Sequence, residues 1–540
     1  MKPFKRHNKR LLIMIAMSIT CACASTAYAE INERPGPDAT YDDKVVLDSE
    51  WQIYNNEYAG AEKRKYTFNK GLTVSPNDSS TGNAIYLSGN VDVDFELGNG
   101  SEMNLESSSG ALNVNPNSKL TINGVNSNLY FGNKNWNEYN EAATIYMDKG
   151  SKLEINAGNL TTSGGAETNL KLFDNAQATI NLTGDFTSDA GGTAIAMEND
   201  YRNSDTSLSI QAANITLGTT DLETADRMAG LYLLAYREDG DNKLSVDLSA
   251  KDTLKISGFA KGIQTFGNAL INLRGKTIII SAESDSQGKG LSLNSYDAAK
   301  PSILKAEAEN LSIKGSEYAI YANDRVDAQL NATGDINISG LNYAVYANKN
   351  TDIQLKTGQN LNILSDTWGI VSFDSTVNAQ AEKAINIRGK VWTSGGHITV
   401  GKDSSTLQTV INGDLTAENN GYITAFVNNA GSSFTGNTTD AHWQDVNTRD
   451  AGNKGIHLTL NGGSVWNDFD YDSTIQVLDT SKAKVDMQDD KFKGLFIGTL
   501  KGDKSTFNMD IDAGTNTNNS DRLYIAGTHT GNHYITLNNV

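Results

Sequence analysis

Leu311-Ser-Ile-Lys-Gly-Ser-Glu-Tyr-Ala-Ile-Tyr-Ala-Asn323 returns 25 residues later as Ile336-Asn-Ile-Ser-Gly-Leu-Asn-Tyr-Ala-Val-Tyr-Ala-Asn348. A third copy runs Leu361-Asn-Ile-Leu-Ser-Asp-Thr-Trp-Gly-Ile370, and a trace of a fourth stands at Ile385-Asn-Ile-Arg-Gly389. Upstream, Leu254-Lys-Ile-Ser-Gly258 and Ile278-Ile-Ile280 open similar units 24 residues apart. The longer interval from Ile278 to Leu311 reads as a unit with an inserted loop around Ser281 to Lys300.

Within each unit, apolar residues alternate over three to five positions and stop at Gly, Asn or Asp, as in Ile353-Gln-Leu355 and Ile385-Asn-Ile387. Period-two alternation marks a strand with one face buried. Three such strands in about 25 residues make one turn of a solenoid, whose inner face is covered only when neighbouring turns stack on it. The expected fold is therefore all-β: a right-handed, single-stranded parallel β-helix. Its inward stacks follow from the alignment as Leu311/Ile336/Leu361, Ile313/Ile338/Ile363 and Ile320/Val345/Ile370.

The same texture, without a strict period, covers the N-terminal half at Val91–Leu97, Leu120–Ile122, Leu153–Ile155, Ile180–Leu182 and Leu208–Ile210. Some twenty turns at roughly 4.8 Å each would give a rod of about 100 Å. Outward Asn, Ser, Thr, Asp and Lys are expected to form hydrogen-bonded ladders. Tyr321 and Tyr346, followed by Val371, align on the outer face, either as an aromatic platform for a sugar or a second copy, or merely covering one another. The best candidate for a helix, Leu222 to Leu234, also reads as strands.

The N-terminus predicts export. Lys2, Lys5, Arg6, Lys9 and Arg10 precede an apolar run, Leu11 to Ala22, too short to span a bilayer, and Ala27-Tyr28-Ala29 supplies a small-x-small cleavage site. Residues 1–29 are thus expected to be a signal peptide and the mature chain to begin at Glu30. A lipoprotein leader is the alternative because Cys21 and Cys23 follow the apolar run, but the residues before each lack the Leu-led small-residue pattern. Both cysteines lie in the removed segment, so burial and hydrogen bonding alone must hold the exported chain.

Removing five basic and no acidic residues takes the net charge from −19 to −24. That balance argues against nucleic acid and anionic lipid as partners. Proline is confined after the leader to Pro35, Pro37, Pro76, Pro116 and Pro301, and no linker divides the chain.

From about Asn453 the pattern becomes more specific. Leu458-Thr-Leu-Asn-Gly-Gly-Ser-Val-Trp466, Ser473–Leu478, Leu495–Gly502, Phe507–Ile511, Ser520–Ile525 and Gly531–Leu537 follow one another in an order that resembles the end of autotransporter passengers of the pertactin-like, AIDA-type adhesin family. The resemblance implies residues 30–452 as a β-helix passenger and 453–540 as a passenger cap or autochaperone region. It also implies type V secretion through an outer-membrane β-barrel translocator, and a surface or secreted role in virulence.

This sequence stops at Val540 without the alternating spans of such a barrel. It is expected to be a fragment or the product of a truncated gene, periplasmic in the latter case. The cap region, rich in Trp466, Leu478, Phe492, Leu495, Phe496, Ile497, Leu500, Phe507, Leu523, Tyr524, Ile525 and Tyr534, is expected to be where folding begins.

No G-x-S-x-G, H-E-x-x-H or Gly-Asp-Ser-Gly signature occurs. The histidines after the leader are His397, His442, His457, His529 and His533; His442 lies near Asp440 and Asp445, where spacing alone leaves a dispersed triad open. Asp468-x-Asp470-x-Asp472 with Asp479 mimics a calcium loop, but Ser473 replaces its turn glycine and Asp479 is short for a bidentate ligand.

No catalytic, cofactor-binding or metal-ligating residue is assigned, and no cofactor is expected. The preferred function is a non-catalytic adhesin or self-association module that meets its own copies or host glycans and matrix proteins. A passenger hydrolase with an unrecognised site, and a non-functional remnant, are the alternatives.

Overall fold

A computed structural model describes residues 30–31, 38–54, 63–76, 82–133, 143–164, 168–200, 204–219, 228–235, 242–283, 287–295, 300–445, 454–467, 470–489, 491–513 and 519–540. The signal peptide assigned to residues 1–29 lies outside them. The described residues contain strands, turns and bends and no helix.

Each turn of chain lays one strand on each of three faces. In the central turns, face one carries Val326–Ala332 and Asp352–Thr357, face two Ile336–Gly340 and the first part of Asn360–Phe373, and face three Tyr343–Asn348 and the second part of Asn360–Phe373. Every strand pairs in parallel with its equivalent one turn away. On face two, nineteen successive pairings link twenty strands among the described residues, from Glu30–Ile31 to Tyr534–Asn539. At roughly 4.8 Å per step the stack is about 90 Å long. This is the parallel β-helix that the repeat predicts.

The register places the three expected inward columns where the alignment puts them: Leu311/Ile336/Leu361, Ile313/Ile338/Ile363 and Ile320/Val345/Ile370. All nine residues are buried. The N-terminal segments join one continuous column on face one, in which Phe95, Ile122, Ile155, Ile180, Ile210 and Leu248 succeed one another. An irregular period therefore reflects loops of varying length at the corners, while the strands stay in step.

Outward polar residues form the anticipated ladders. Asn156 donates its amide to Asn123 at 2.9 Å and Asn181 donates to Asn156 at 3.0 Å. Asn362 and Asn386 continue another ladder from Asn337 at 2.8 Å each. Each neutral bond adds about 0.5–1.5 kcal/mol, so stacking stabilises the outer surface as well as the core.

The corners from face three to face one are tight. Asp324 and Arg325, then Lys349 and Asn350, take left-handed φ values of 63°, 57°, 54° and 58°. Non-glycine residues rarely adopt this conformation. It persists because the amides of Asp324 and Arg325 donate to the carbonyls of Asn348 and Lys349 in the next corner, at 3.1 and 2.9 Å.

Two expectations need correction. The interval around Ser281 to Lys300 is not an inserted loop: Lys289–Asn294 is an ordinary face-three strand paired on both sides, and the extra length falls at the two corners flanking it. Of the two readings open for Leu222 to Leu234, the strand holds where the stretch is described, Ala229–Ala235, with Leu231 and Leu233 inward; residues 220–227 lie outside the description.

The proposed anchors of the C-terminal region also divide. Trp466, Leu478, Leu495, Ile497, Leu500 and Phe507 are buried, but Phe492, Tyr524 and Tyr534 are exposed. Among the described residues, four buried rings gather at the other end. Trp51 meets Phe95 at 5.4 Å and Tyr66 at 5.1 Å, and Phe68 meets Phe95 at 5.7 Å. Aromatic burial therefore does not single out residues 453–540.

Candidate functional site

Face three carries two outward columns in its middle third. Lys289, Tyr318, Tyr343, Trp368 and Lys390 succeed one another in the first, and Tyr321, Tyr346, Val371 and Trp392 in the second. Strands in register at a rise near 4.8 Å hold equivalent rings at the separation at which aromatic planes stack. Tyr318 and Tyr343 lie 4.6 Å apart and 6° from parallel, Tyr321 and Tyr346 5.2 Å apart and 4° from parallel, and Trp368 follows Tyr343 at 6.4 Å and 7°.

The stack then turns. Trp368 meets Trp392 at 5.9 Å and 51°, and Phe373 meets Trp392 edge-on at 4.5 Å and 85°. All seven rings remain partly exposed.

This geometry decides what the tyrosines can do. Their faces are occupied by one another, so the covering role read from Tyr321 and Tyr346 is what the rings perform, and only their edges meet solvent. Lys289 closes the end of the stack, its Nζ 4.3 Å from the centre of the Tyr321 ring and 5.2 Å from that of Tyr318. Burial pushes the Lys289 ammonium below its ordinary pKa; burial, then the Glu317 carboxylate and neighbouring tyrosines push Tyr318 above its own, and burial with neighbouring tyrosines does the same to Tyr346.

At its other end the array borders a groove. Three successive corners between faces two and three, Ser365–Thr367, Arg388–Lys390 and Asn412–Asp414, line a cavity of about 390 Å³. Both of its glycines are required by geometry. Gly413 has φ +145° and a Cβ there would stand 2.4 Å from the Gly389 carbonyl oxygen; Gly389 has φ +105° and its Cβ would stand 2.7 Å from the Gly369 nitrogen. This part of the groove is consequently bare backbone.

Two ion pairs stand in the groove, Arg388–Asp366 at 2.9 Å and Lys390–Asp414 at 3.3 Å. The Tyr471 hydroxyl donates to Asp414 at 3.3 Å. Lys390 also lies 5.9 Å over the Trp368 ring, tying groove to array.

The residues weighed for chemistry fall elsewhere. His442 has both ring nitrogens engaged: Nε2 accepts the Asn420 amide at 3.1 Å, which places the proton on Nδ1, 2.9 Å from Asp445. Asp440 is buried and accepts the backbone amides of His442, Ile456 and Gln476 at 2.8, 2.6 and 2.7 Å. Burial pushes its pKa up against the pull of those three donors. The pair thus anchors the chain on either side of residues 446–453, and among the described residues His442 Nε2 meets a backbone amide, where a triad would place a hydroxyl.

His457 bonds the Tyr422 hydroxyl at 3.0 Å and Gln476 at 3.1 Å, and His397 packs on Tyr422. Of the calcium-like set, Asp468 lies outside the described residues. Asp472 accepts the Gly494 amide at 2.6 Å, and Asp479 sits in a strand between Thr459 and Lys501.

Sequence reading found one aromatic column and missed its neighbour. Tyr318, Tyr343 and Trp368 occupy equivalent places in the aligned copies three residues before Tyr321, Tyr346 and Val371. Scanning every aligned position for aromatics would have found them. The groove had no such signal, because it is assembled from single corner residues of three turns.

No family model matches the chain, and no curated protein does. Among solved structures it is similar to the Haemophilus influenzae Hap adhesin, with 15% identity and a TM-score of 0.25 over 92% of this chain and 57% of that one. The chain thus spans a little over half the length of that adhesin.

Proposed function

We propose that this chain is the non-catalytic passenger of a bacterial autotransporter, working outside the cell as an adhesive rod whose contact surface is the aromatic face around Tyr318, Trp368 and Trp392. The observation that carries this reading is that array: seven partly exposed rings on one face of a rod whose other outward positions are mostly Asn, Ser, Thr and charged ladders. Aromatic side chains concentrate contact energy where they gather at a surface.

The leader-like N-terminus, the cysteine-free chain after it and the passenger-like order of segments after Asn453 support export through an outer-membrane β-barrel. Residues 453–540 serve as the cap region of the passenger. The partners are other copies of the rod, or glycans and matrix proteins of a host surface.

The test is display of residues 30–540 on a competent barrel. Bacteria should clump or bind host cells or matrix, and Trp368→Ala with Trp392→Ala should weaken the gain by about tenfold or more, as expected of aromatic contact residues. Normal display with no gain in either assay would overturn the reading.

A further inference from the structure

Resting on that adhesive reading, we infer that the groove formed by Asp366, Arg388, Lys390, Asn412 and Asp414 is a binding site for a neutral glycan. The charges within it balance: two cations are each paired with a carboxylate at 2.9 and 3.3 Å, so the site offers no net charge to an ionic ligand. What it offers is alternation. Arg388 and Lys390 donate, Asp366 and Asp414 accept, and the exposed Asn412 amide does both. Vicinal hydroxyls, which donate and accept side by side, complement such a set.

Size and shape point the same way. About 390 Å³ falls at the lower end of the range of small-ligand sites, roughly 300–1,000 Å³, and fits a sugar fragment better than a protein surface. Gly389 and Gly413 contribute backbone and no side chain to the wall of the groove. Beside the groove, Trp368 stands under Lys390 and next to Trp392, so that a partly exposed aromatic surface borders the site. The acidic balance of the whole chain opposes sulfated or carboxylated polysaccharides.

The experiment uses the full chain in solution and a panel of neutral oligosaccharides, with heparin as the anionic comparison, read by ligand-observed NMR and tryptophan fluorescence. At least one neutral oligosaccharide should bind, with affinity unchanged between low and high salt. Arg388→Ala, at a side chain 60% exposed, should weaken it about tenfold while far-UV circular dichroism stays unchanged. Asp414→Asn is the second variant and should weaken it similarly, and Lys255→Ala, on face two well away from the groove, should not. Lack of binding by every neutral sugar, a preference for heparin that salt abolishes, binding of peptide ligands alone, or full affinity in Arg388→Ala would each overturn the inference. Cell adhesion that survives both groove variants would sink the glycan site and leave the adhesive reading standing; sugar binding without adhesion would do the reverse.

Discussion

Replacing Trp51 with alanine should loosen the first turns of the rod and leave the rest untouched. The side chain is 3% exposed and its ring meets three others, Phe95 stacked at 5.4 Å, Tyr66 edge-on at 5.1 Å and Phe68 edge-on at 6.3 Å. Truncating a buried Trp costs about 3–5 kcal/mol through lost transfer energy and the cavity left behind. Each ring pair adds about 0.5–1.5 kcal/mol beyond its area, although three pairs sharing one ring are not additive. A local cost of about 4–6 kcal/mol follows.

In a solenoid, stability is a sum of turns and nearest-neighbour interfaces, so this cost stays with the turns that Trp51 touches. Hydrogen exchange measured by mass spectrometry reads it. At about 1.4 kcal/mol per tenfold, amides in Trp51–Tyr54, Lys63–Phe68, Asn83–Ser88 and Asp92–Leu97 should exchange roughly a thousandfold faster or more. Amides in Ile336–Gly340 and Gly455–Asn461 should keep their rates. Uniform acceleration along the whole rod would refute the nearest-neighbour argument, and acceleration below about tenfold at Trp51 itself would refute the packing estimate.

Trp466→Ala should cost about 3–5 kcal/mol around its own turns, and Trp466→Phe about 1–3, the latter because the Gly436 carbonyl loses the indole N–H it accepts at 3.0 Å; local exchange at Phe434 and Val485 separates the two. Asp440→Ala strands two buried backbone amides and one part-buried one and should destabilise the junction around residues 454–460 by about 3–5 kcal/mol, whereas a catalytic aspartate would be read in activity and not in exchange. The stacked tyrosines give a pH dependence with a definite sign. Burial raises Tyr318 and Tyr346 above their unfolded values, so the stability they contribute is complete below about pH 10 and lost as pH rises through their folded pKa values. Ultraviolet titration should show late-ionising tyrosines that disappear in the Tyr318→Phe, Tyr346→Phe double variant; an unchanged curve would remove the stack from the argument.

How much of this was legible in sequence depends on which level of the fold is asked about. Ile338 could be placed inward, and against Ile313 and Ile363, because period-two alternation and a 25-residue repeat together leave one register that keeps every apolar residue inside. The strand Lys289–Asn294 was hidden because its neighbours lie across corners of irregular length, where nothing forces a period. A three-face solenoid tolerates such corners, since loop length there costs little once the flanking strands are paired. That tolerance also explains why the candidate site was the least legible part. Asp366, Arg388 and Asp414 lie 22 and then 26 residues apart, on three different turns, and only the backbone register brings them to one groove. A rod of this kind can therefore change what it touches by substituting corner residues one at a time, without disturbing the columns that hold it together. The proposed groove is written at the corners of the turns, where periodicity carries the least information, whereas the aromatic columns beside it lie on strands that the register aligns.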